Sequence, residues 1–413
     1  MRFLVWGKGV SGRAAAELLK AKGYRFYWGS DEEEPQLWRE VLDEVDAVVL
    51  SPGVPPSHPL FTEALKKGKE LIGELELGWR FFKGRALAVT GTDGKSTVTR
   101  LTYLALKLSG FKVEEGGNAG KPLSAIALED EASLAVVEVS SFQGKTLTSF
   151  RPFGGAFVSF HPDHLDWHPT LTDYLRSKYR IFARQKEDDF VVLNDRVKEV
   201  KALPTKARKV LLSEIRLGEW VSYGGVKLFK RSDLRLPGEH NLVNAAIAAV
   251  LAFLAGAPPQ AVREAVAGFK GLPYRLEFVG YLKGAAVYND AKSTTPGALL
   301  AALKSFPGRV VLIAGGKDKG ADFKPLREEV SRRVKAAVLF GEAREKIKRS
   351  WHGCTRIKTA ETLEEALGKA LEELEEGDVL LFSPGCASFD QFRSYAERGE
   401  RFNELIRRLS PAL

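Results

Sequence analysis

Short apolar runs that stop at glycine-rich or polar turns recur along the chain, each followed by apolar residues at helical spacing. Arg2–Trp6 runs into Gly7-x-Gly9-x-x-Gly12 and a helical pattern through Lys22, and residues 24–28 end near Asp31. Ala47–Leu50 enters the rigid loop Ser51-Pro52-Gly53-Val54-Pro55-Pro56. Residues 86–89, 134–139, 156–160 and 190–194 repeat the pattern, as do residues 310–314, residues 337–340 and Val379–Phe382. Continuous apolar runs bounded by turns read as strands buried on both faces, and the segments between them as covering helices. Residues 363–374 are one such helix: Leu363, Ala366, Leu367, Ala370, Leu371 and Leu374 share a face, and Gly377 stops it. Residues 220–228 read as a hairpin-like insertion, residues 237–241 open an apolar helix over 245–255, and residues 271–273 form a linker. The pattern predicts an α/β chain with mostly parallel sheets in three domains, 1–84, 85–271 and 272–413.

The length of 413 residues agrees with two or three domains, and 44% hydrophobic with 28% charged residues is the balance of a soluble globular chain. No apolar run approaches the ~20 residues needed to span a bilayer, and the N-terminus lacks a signal-peptide pattern. Cys354 and Cys386 are too few for a disulfide framework, so the cytoplasm is the expected compartment. The net charge of +9 and pI near 9.3 fit nucleic acid or polyanionic small substrates. The basic clusters at 206–209, 332–335 and 344–349 carry helix-type apolar spacing rather than stacking aromatics. Neither a nucleic-acid nor a membrane partner is therefore expected.

The segment 85–97, R-A-L-A-V-T-G-T-D-G-K-S-T, changes the picture most. A strand, a glycine turn with Gly91 and Gly94, then Lys95-Ser96-Thr97 and a helix is a recipe for binding a triphosphate. Backbone N–H groups and the helix N-terminus meet the phosphates, Lys adds charge, and a hydroxyl reaches Mg²⁺. The general pattern has Gly where Val89 stands. The earlier glycine turn, with Asp31 about 20 residues on, also fits a pyrophosphate, whether of NAD or of UDP. Glu138 closes an apolar strand, where an acid can hold the cation that bridges phosphates. His161, His164 and His168 follow another strand; one of them suits a ligand position, with His161 and His168 expected in capping and loop hydrogen bonds. Residues 289–295, 315–320 and 383–392 are three polar strand-terminal loops, and a parallel sheet would bring them to one rim as a pocket for a small dianion.

The segments T-G-T-D-G-K-S-T, E-V-S-S-F-Q, D-H-L-D, S-K-Y-R-I-F, P-G-E-H-N-L-V-N-A, Y-R-L-E, N-D-A-K-S-T, G-G-K-D-K-G-A-D-F and S-P-G-C-A-S-F-D-Q-F occur in the order seen in the Mur ligases. The chain resembles that family along nearly its whole length, and its E-x-S-S-F-Q, S-P-G and S-F-D-Q-F segments resemble the D-glutamate-adding branch. The resemblance implies an N-terminal Rossmann-like UDP-binding domain, a central P-loop ATPase and a C-terminal Rossmann-like amino-acid domain. It implies a monomeric ATP-dependent ligase joining D-glutamate to UDP-N-acetylmuramoyl-L-alanine through an acyl phosphate, in peptidoglycan precursor synthesis. Gly91, Thr92, Asp93, Gly94, Lys95, Ser96 and Thr97 then match the ATP loop, with Asn241, Asn244, Arg275 and Asp290 on the nucleotide side. Ser96, Glu138, His164 and Lys178 match ligands of two Mg²⁺ ions, Lys178 as a carbamylated lysine, and Lys95, Lys178, His164 and Glu138 match the catalytic set. Val10, Ser11, Ser51, Pro52, Gly53 and Asn118 match contacts to the UDP substrate. Lys292, Thr294, Lys319, Ser388 and Tyr395 match the D-glutamate pocket. Asp93 stands where the family usually has Asn, Tyr395 replaces its Phe, and Lys317 precedes Asp318, so only Lys319 of that loop carries over. The alternatives are another Mur-type or folate-type amino-acid ligase, an NAD-binding oxidoreductase resting on Gly7, Gly9 and Gly12, and a nucleic-acid-stimulated ATPase resting on charge.

Overall fold

The computed structural model describes residues 1–164 and 167–409. The chain divides into two compact units, residues 1–233 with 243–267, and residues 234–242 with 268–413. The first unit opens with four parallel strands, β1 (Arg2–Trp6), β2 (Arg25–Gly29), β3 (Ala47–Leu50) and β4 (Glu70–Gly73), in the order β2-β1-β3-β4. Its residues alternate between two cores. Leu4, Trp6, Val48 and Leu50 pack with Trp38, Leu60 and Ala64, while Phe3, Val5, Ala47 and Val49 pack with Ala15, Leu18, Leu19 and Leu77. Both faces are buried, which is why the runs read as continuously apolar.

A second parallel sheet follows, from β5 (Arg85–Thr90), β6 (Val113–Gly117), β7 (Leu134–Glu138), β8 (Gly154–Phe157), β9 (Phe190–Leu193) and β10 (Arg208–Leu211), in the order β10-β9-β8-β5-β7-β6. The short antiparallel sheet β11 (Arg216–Leu217), β12 (Trp220–Tyr223) and β13 (Val226–Lys230) contains the expected hairpin. Two strands differ from the sequence reading by more than one residue: residues 337–340 were expected where the strand is Val334–Phe340, and residues 156–160 were expected where β8 is Gly154–Phe157. Its two glycines permit the earlier start. A Cβ at Gly155 would lie 2.5 Å from the Phe182 ring and 2.7 Å from the Ala88 carbonyl, and one at Gly154 would meet Phe190 and Leu87. Past its end, Val158 N–H still donates to Thr90 O and Ser159 bonds the loop after β5.

The second unit holds β14 (Glu277–Leu282), β15 (Ala285–Asn289), β16 (Val310–Gly315), β17 (Val334–Phe340), β18 (Arg356–Thr359) and β19 (Val379–Phe382). Their order is β14-β15-β19-β16-β17-β18, parallel except for β14. The helix expected over 363–374 is Leu363–Glu373, with Leu363, Ala366, Leu367 and Ala370 in the core under the sheet. Thr362 caps it by accepting from the Glu365 N–H.

Candidate active site

The loop after β5 is shaped from within and from its neighbours. Gly94 has φ +83°, a left-handed conformation, and a Cβ there would sit 2.5 Å from Asn244 Oδ1 and 2.9 Å from Val158. Glycine is therefore required twice over, and Asn244 is placed directly against the loop. Helix Lys95–Leu108 starts at once, with Ser96 half-buried and Thr97 buried in its first turn. Lys95 folds back, its Nζ donating to the Gly91 carbonyl at 2.9 Å and the Thr92 carbonyl at 2.8 Å. Residues 159–161 brace the far side: Thr92 N–H donates to Ser159 O, and the Ser159 hydroxyl accepts from Asp93 N–H and donates to Asp93 O. Asp93, unexplained by the sequence, reaches out to His161, with Nε2 and Oδ2 2.7 Å apart.

Lys178 lies on helix Leu171–Arg180, almost fully buried, and its Nζ also donates to the Gly91 carbonyl, at 2.7 Å. Burial, and then the charge of Lys95, push its amine well below the ordinary lysine value, against the pull of Asp163, Glu138 and Asp93. Nothing in its spacing marks it out; its own helix places the Tyr174 ring one turn away, 4.6 Å from Nζ. Glu138 ends β7, whose register pairs it with Val89 on β5, so it is buried next to the strand that carries the loop. Its Oε1 accepts from Asn118 Nδ2 at 2.8 Å. His164 has φ +51° and stands exposed, its ring edge-on to Phe142 at 4.8 Å. His168 is buried between Asp173 at 2.8 Å and Ser141 at 2.9 Å, a loop-bonding role as expected. Leu165 and Asp166 of the D-H-L-D segment lie outside the described residues.

Among the described residues, no three His, Cys, Asp or Glu side chains converge as a ready metal site. The helix after the loop offers a hydroxyl at Ser96 and the end of β7 a carboxylate at Glu138, hard oxygen donors that suit a Mg²⁺ retaining waters and phosphate oxygens. Lys178, as an ammonium, has no lone pair to offer a cation, and a neutral amine is a poor partner for a hard ion such as Mg²⁺. It fits a cation only after gaining an anionic oxygen.

The carboxyl ends of β1 and β3 open into a cleft of about 480 Å³. It collects Val10, Ser11, Ser51, Pro52, Gly53 and Asn118, every residue matched to the UDP substrate. The glycine turn is tight: a Cβ at Gly7 would lie 2.4 Å from Ser51 Oγ, and one at Gly12 1.8 Å from the Gly7 carbonyl. Ser51 Oγ is buried with no hydrogen-bond partner, a polar atom held ready at a turn that favours anions. Asp31, also lining the cleft, is fixed by His58 Nε2 at 2.9 Å.

In the second unit the three polar loops leave β15, β19 and β16, adjacent parallel strands, and so meet at one rim. Backbone bonds stitch them together: Gly385 N–H donates to Ser293 O, and Lys317 N–H to Ala387 O. Lys292 Nζ lies 5.9 Å from the Tyr395 ring and Lys319 Nζ 5.3 Å from the Phe389 ring, two lysines each held over an aromatic. Thr294 is half-buried and Ser388 buried. Lys317 pairs with Glu342 at 2.6 Å and Asp318 with Lys346 at 2.9 Å, so both are engaged elsewhere. Asp290 is buried after β15, accepting from Ser383 Oγ at 2.7 Å and from Leu276 N–H at 3.1 Å. Burial pushes its carboxyl up to about 7, against those bonds and the charge of exposed Arg275. Asn241, buried, donates to Pro237 O at 2.6 Å.

One residue of this rim escaped the sequence reading. Arg398 is fully buried on helix Tyr395–Leu409, and its guanidinium donates to the Ala291, Cys386 and Ala387 carbonyls at 2.9–3.1 Å. It clamps two of the loops from below, and burial pulls its own pKa down to about 10. Its place among the charged residues of a polar helix gave no signal.

The family model described as Mur ligase middle domain matches residues 89–252, and that described as Mur ligase, glutamate ligase domain matches residues 274–386. A protein of Aquifex aeolicus named UDP-N-acetylmuramoylalanine–D-glutamate ligase is 57% identical, with 98% of each chain covered. Its namesake in Hydrogenobaculum sp. is 46% identical, with 99% of each covered. Among solved structures, a UDP-N-acetylmuramate–alanine ligase of Thermotoga maritima matches with a TM-score of 0.61 at 19% identity, over 98% of this chain and 99% of that one. A pseudomurein peptide ligase of Methanothermus fervidus matches with 0.58 at 17%, over 99% and 100%. Those two likenesses concern the fold. From both family models and the full-length relatives, the chain belongs to the Mur ligases.

Proposed function

We propose that this chain is an ATP-dependent ligase joining D-glutamate to UDP-N-acetylmuramoyl-L-alanine in peptidoglycan precursor synthesis, as a cytoplasmic monomer. Residues 1–84 would hold the UDP substrate, 85–271 ATP, and 272–413 the amino acid. The names of the full-length relatives support the activity. The observation that carries it is the bond between Asn118 and Glu138: a residue of the UDP cleft is tied to the acid beside the phosphate loop. Among the described residues, no helix is long and apolar enough to cross a membrane.

The reaction begins with an alanine carboxylate oxygen attacking the γ-phosphorus as the bond to ADP breaks, which leaves an acyl phosphate. The neutral amine of D-glutamate adds to the acyl carbon, loses a proton to solvent, and phosphate departs with the C–O electrons. The first step brings two anions together, so charge neutralisation and in-line positioning are the main requirements. Lys95 and the loop N–H groups meet the phosphates, and Asn244 keeps the loop in shape. Ser96 and Glu138 would hold Mg²⁺, which supplies further charge neutralisation. The buried, easily deprotonated amine of Lys178 is suited to react with CO₂. The carbamate, with His164 and Glu138, would complete a second cation site. Lys292, Thr294, Lys319, Ser388 and Tyr395 would bind the two carboxylates and stem of D-glutamate.

Phosphate release should require ATP–Mg²⁺, UDP-N-acetylmuramoyl-L-alanine and D-glutamate together, and Lys95→Ala should abolish it. Release that persists without the UDP substrate, or turnover surviving in Lys95→Ala, would overturn the assignment.

A further inference from the structure

Asp93 is a paradox of this site: a carboxylate on the loop that two lysines and a helix N-terminus prepare for a polyanion. Its surroundings fix where that carboxylate goes. Thr92 and Asp93 are stitched to residues 159–161 by backbone and hydroxyl bonds, including Thr92 Oγ1 with the backbone N–H and carbonyl of His161. The stitching holds the two side chains in register, and His161 Nε2 meets Asp93 Oδ2 at 2.7 Å. An ionised carboxylate only accepts, so the ring must present an N–H there. The two side chains are 67% and 52% exposed, so neither is driven into the pair by burial. Lys178 and Lys95 lie on the inner side of the loop, Asp163 and His164 on the segment beyond His161.

We infer that His161 is a positioning residue that draws the Asp93 carboxylate outward, away from the nucleotide phosphates, so that an acidic loop accepts ATP. Asp93 and His161 then act as a unit. Without the imidazole, Asp93 is released toward the triphosphate and repels it. With a neutral residue at 93, the imidazole has nothing to restrain. The inference rests on the nucleotide reading of the loop and predicts a sign of coupling that reading alone does not.

The test is ATP–Mg²⁺ binding by titration calorimetry, with KM for ATP and kcat, on the full chain and four variants. His161→Ala should weaken binding about fivefold to tenfold, the effect of one unit charge about 4 Å from another in largely water-screened surroundings. It should act on KM far more than on kcat. Asp93→Asn, which takes a negative charge off the loop, should bind ATP–Mg²⁺ at least as tightly as wild type, and the double variant should match Asp93→Asn rather than His161→Ala. His161→Gln, which keeps an N–H donor, should recover most of the loss. Equal losses from His161→Ala in both backgrounds, or none in either, would overturn the inference while leaving the nucleotide site standing. Failure of the wild-type chain to bind ATP–Mg²⁺ would overturn both.

Discussion

Asp290→Asn separates what the second unit needs for stability from what it needs for chemistry. The Asp290 carboxyl is buried and accepts from Ser383 Oγ and Leu276 N–H. Asparagine can keep both bonds, its carbonyl accepting from the amide and its NH₂ donating to the hydroxyl. Only the ionisation is lost. Moving a carboxyl from 3.8 to about 7 penalises the charged form by about 4 kcal/mol, at about 1.4 kcal/mol per pH unit. The sign follows from proton counts. Above pH 3.8 the unfolded chain has released this proton while the native protein keeps it, so stability falls with rising pH until the native group ionises near 7. Urea unfolding at intervals from pH 4.5 to 8 should find the two proteins nearly equal at the acid end. Asp290→Asn should gain steadily, reaching about 2–4 kcal/mol above wild type by pH 8, as a neutral group replaces a buried charge. Ligase activity should fall in the same variant, the pattern of an acid kept for function at the expense of stability. A stability difference that stays flat across the pH range would refute the reasoning.

Lys178→Ala should lower kcat by about 10²-fold or more, and acetate or propionate should restore part of it by standing in for the oxygens of the proposed carbamate. Loss without rescue would remove the carbamate from the account. Arg398→Met leaves three buried carbonyls without a charged donor. It should destabilise the second unit by roughly 3 kcal/mol or more and raise KM for D-glutamate with KM for ATP little changed. Chemical denaturation and initial rates check it, and an unchanged glutamate KM would contradict the clamp.

Strands were legible where both faces of a sheet are covered, because burial writes an apolar run into the sequence. Ala47–Leu50 and Val379–Phe382 were read to the residue. The start of β8 was missed since Gly154 and Gly155 look like a turn, and the close approach of Phe182 and Phe190 that needs glycine is invisible locally. The cleft residues were found through a glycine turn and a proline loop whose conformations are encoded within a few positions. The partners that explain Asp93, Lys178 and Arg398 lie far along the chain. His161 is 68 residues from Asp93, Gly91 is 87 from Lys178, and Ala291 is 107 from Arg398. Such pairings come from topology rather than local pattern. Lys178 was reachable only through resemblance, and Arg398 not at all.

The central claim is that this chain couples ATP cleavage to amide formation with one enantiomer of one amino acid. The direct test is phosphate release from ATP–Mg²⁺ with UDP-N-acetylmuramoyl-L-alanine, comparing D- and L-glutamate side by side and identifying the product by mass. The account predicts stoichiometric ADP, phosphate and amide with D-glutamate and no amide above background with L-glutamate. Equal turnover with both, or none with either, would contradict it.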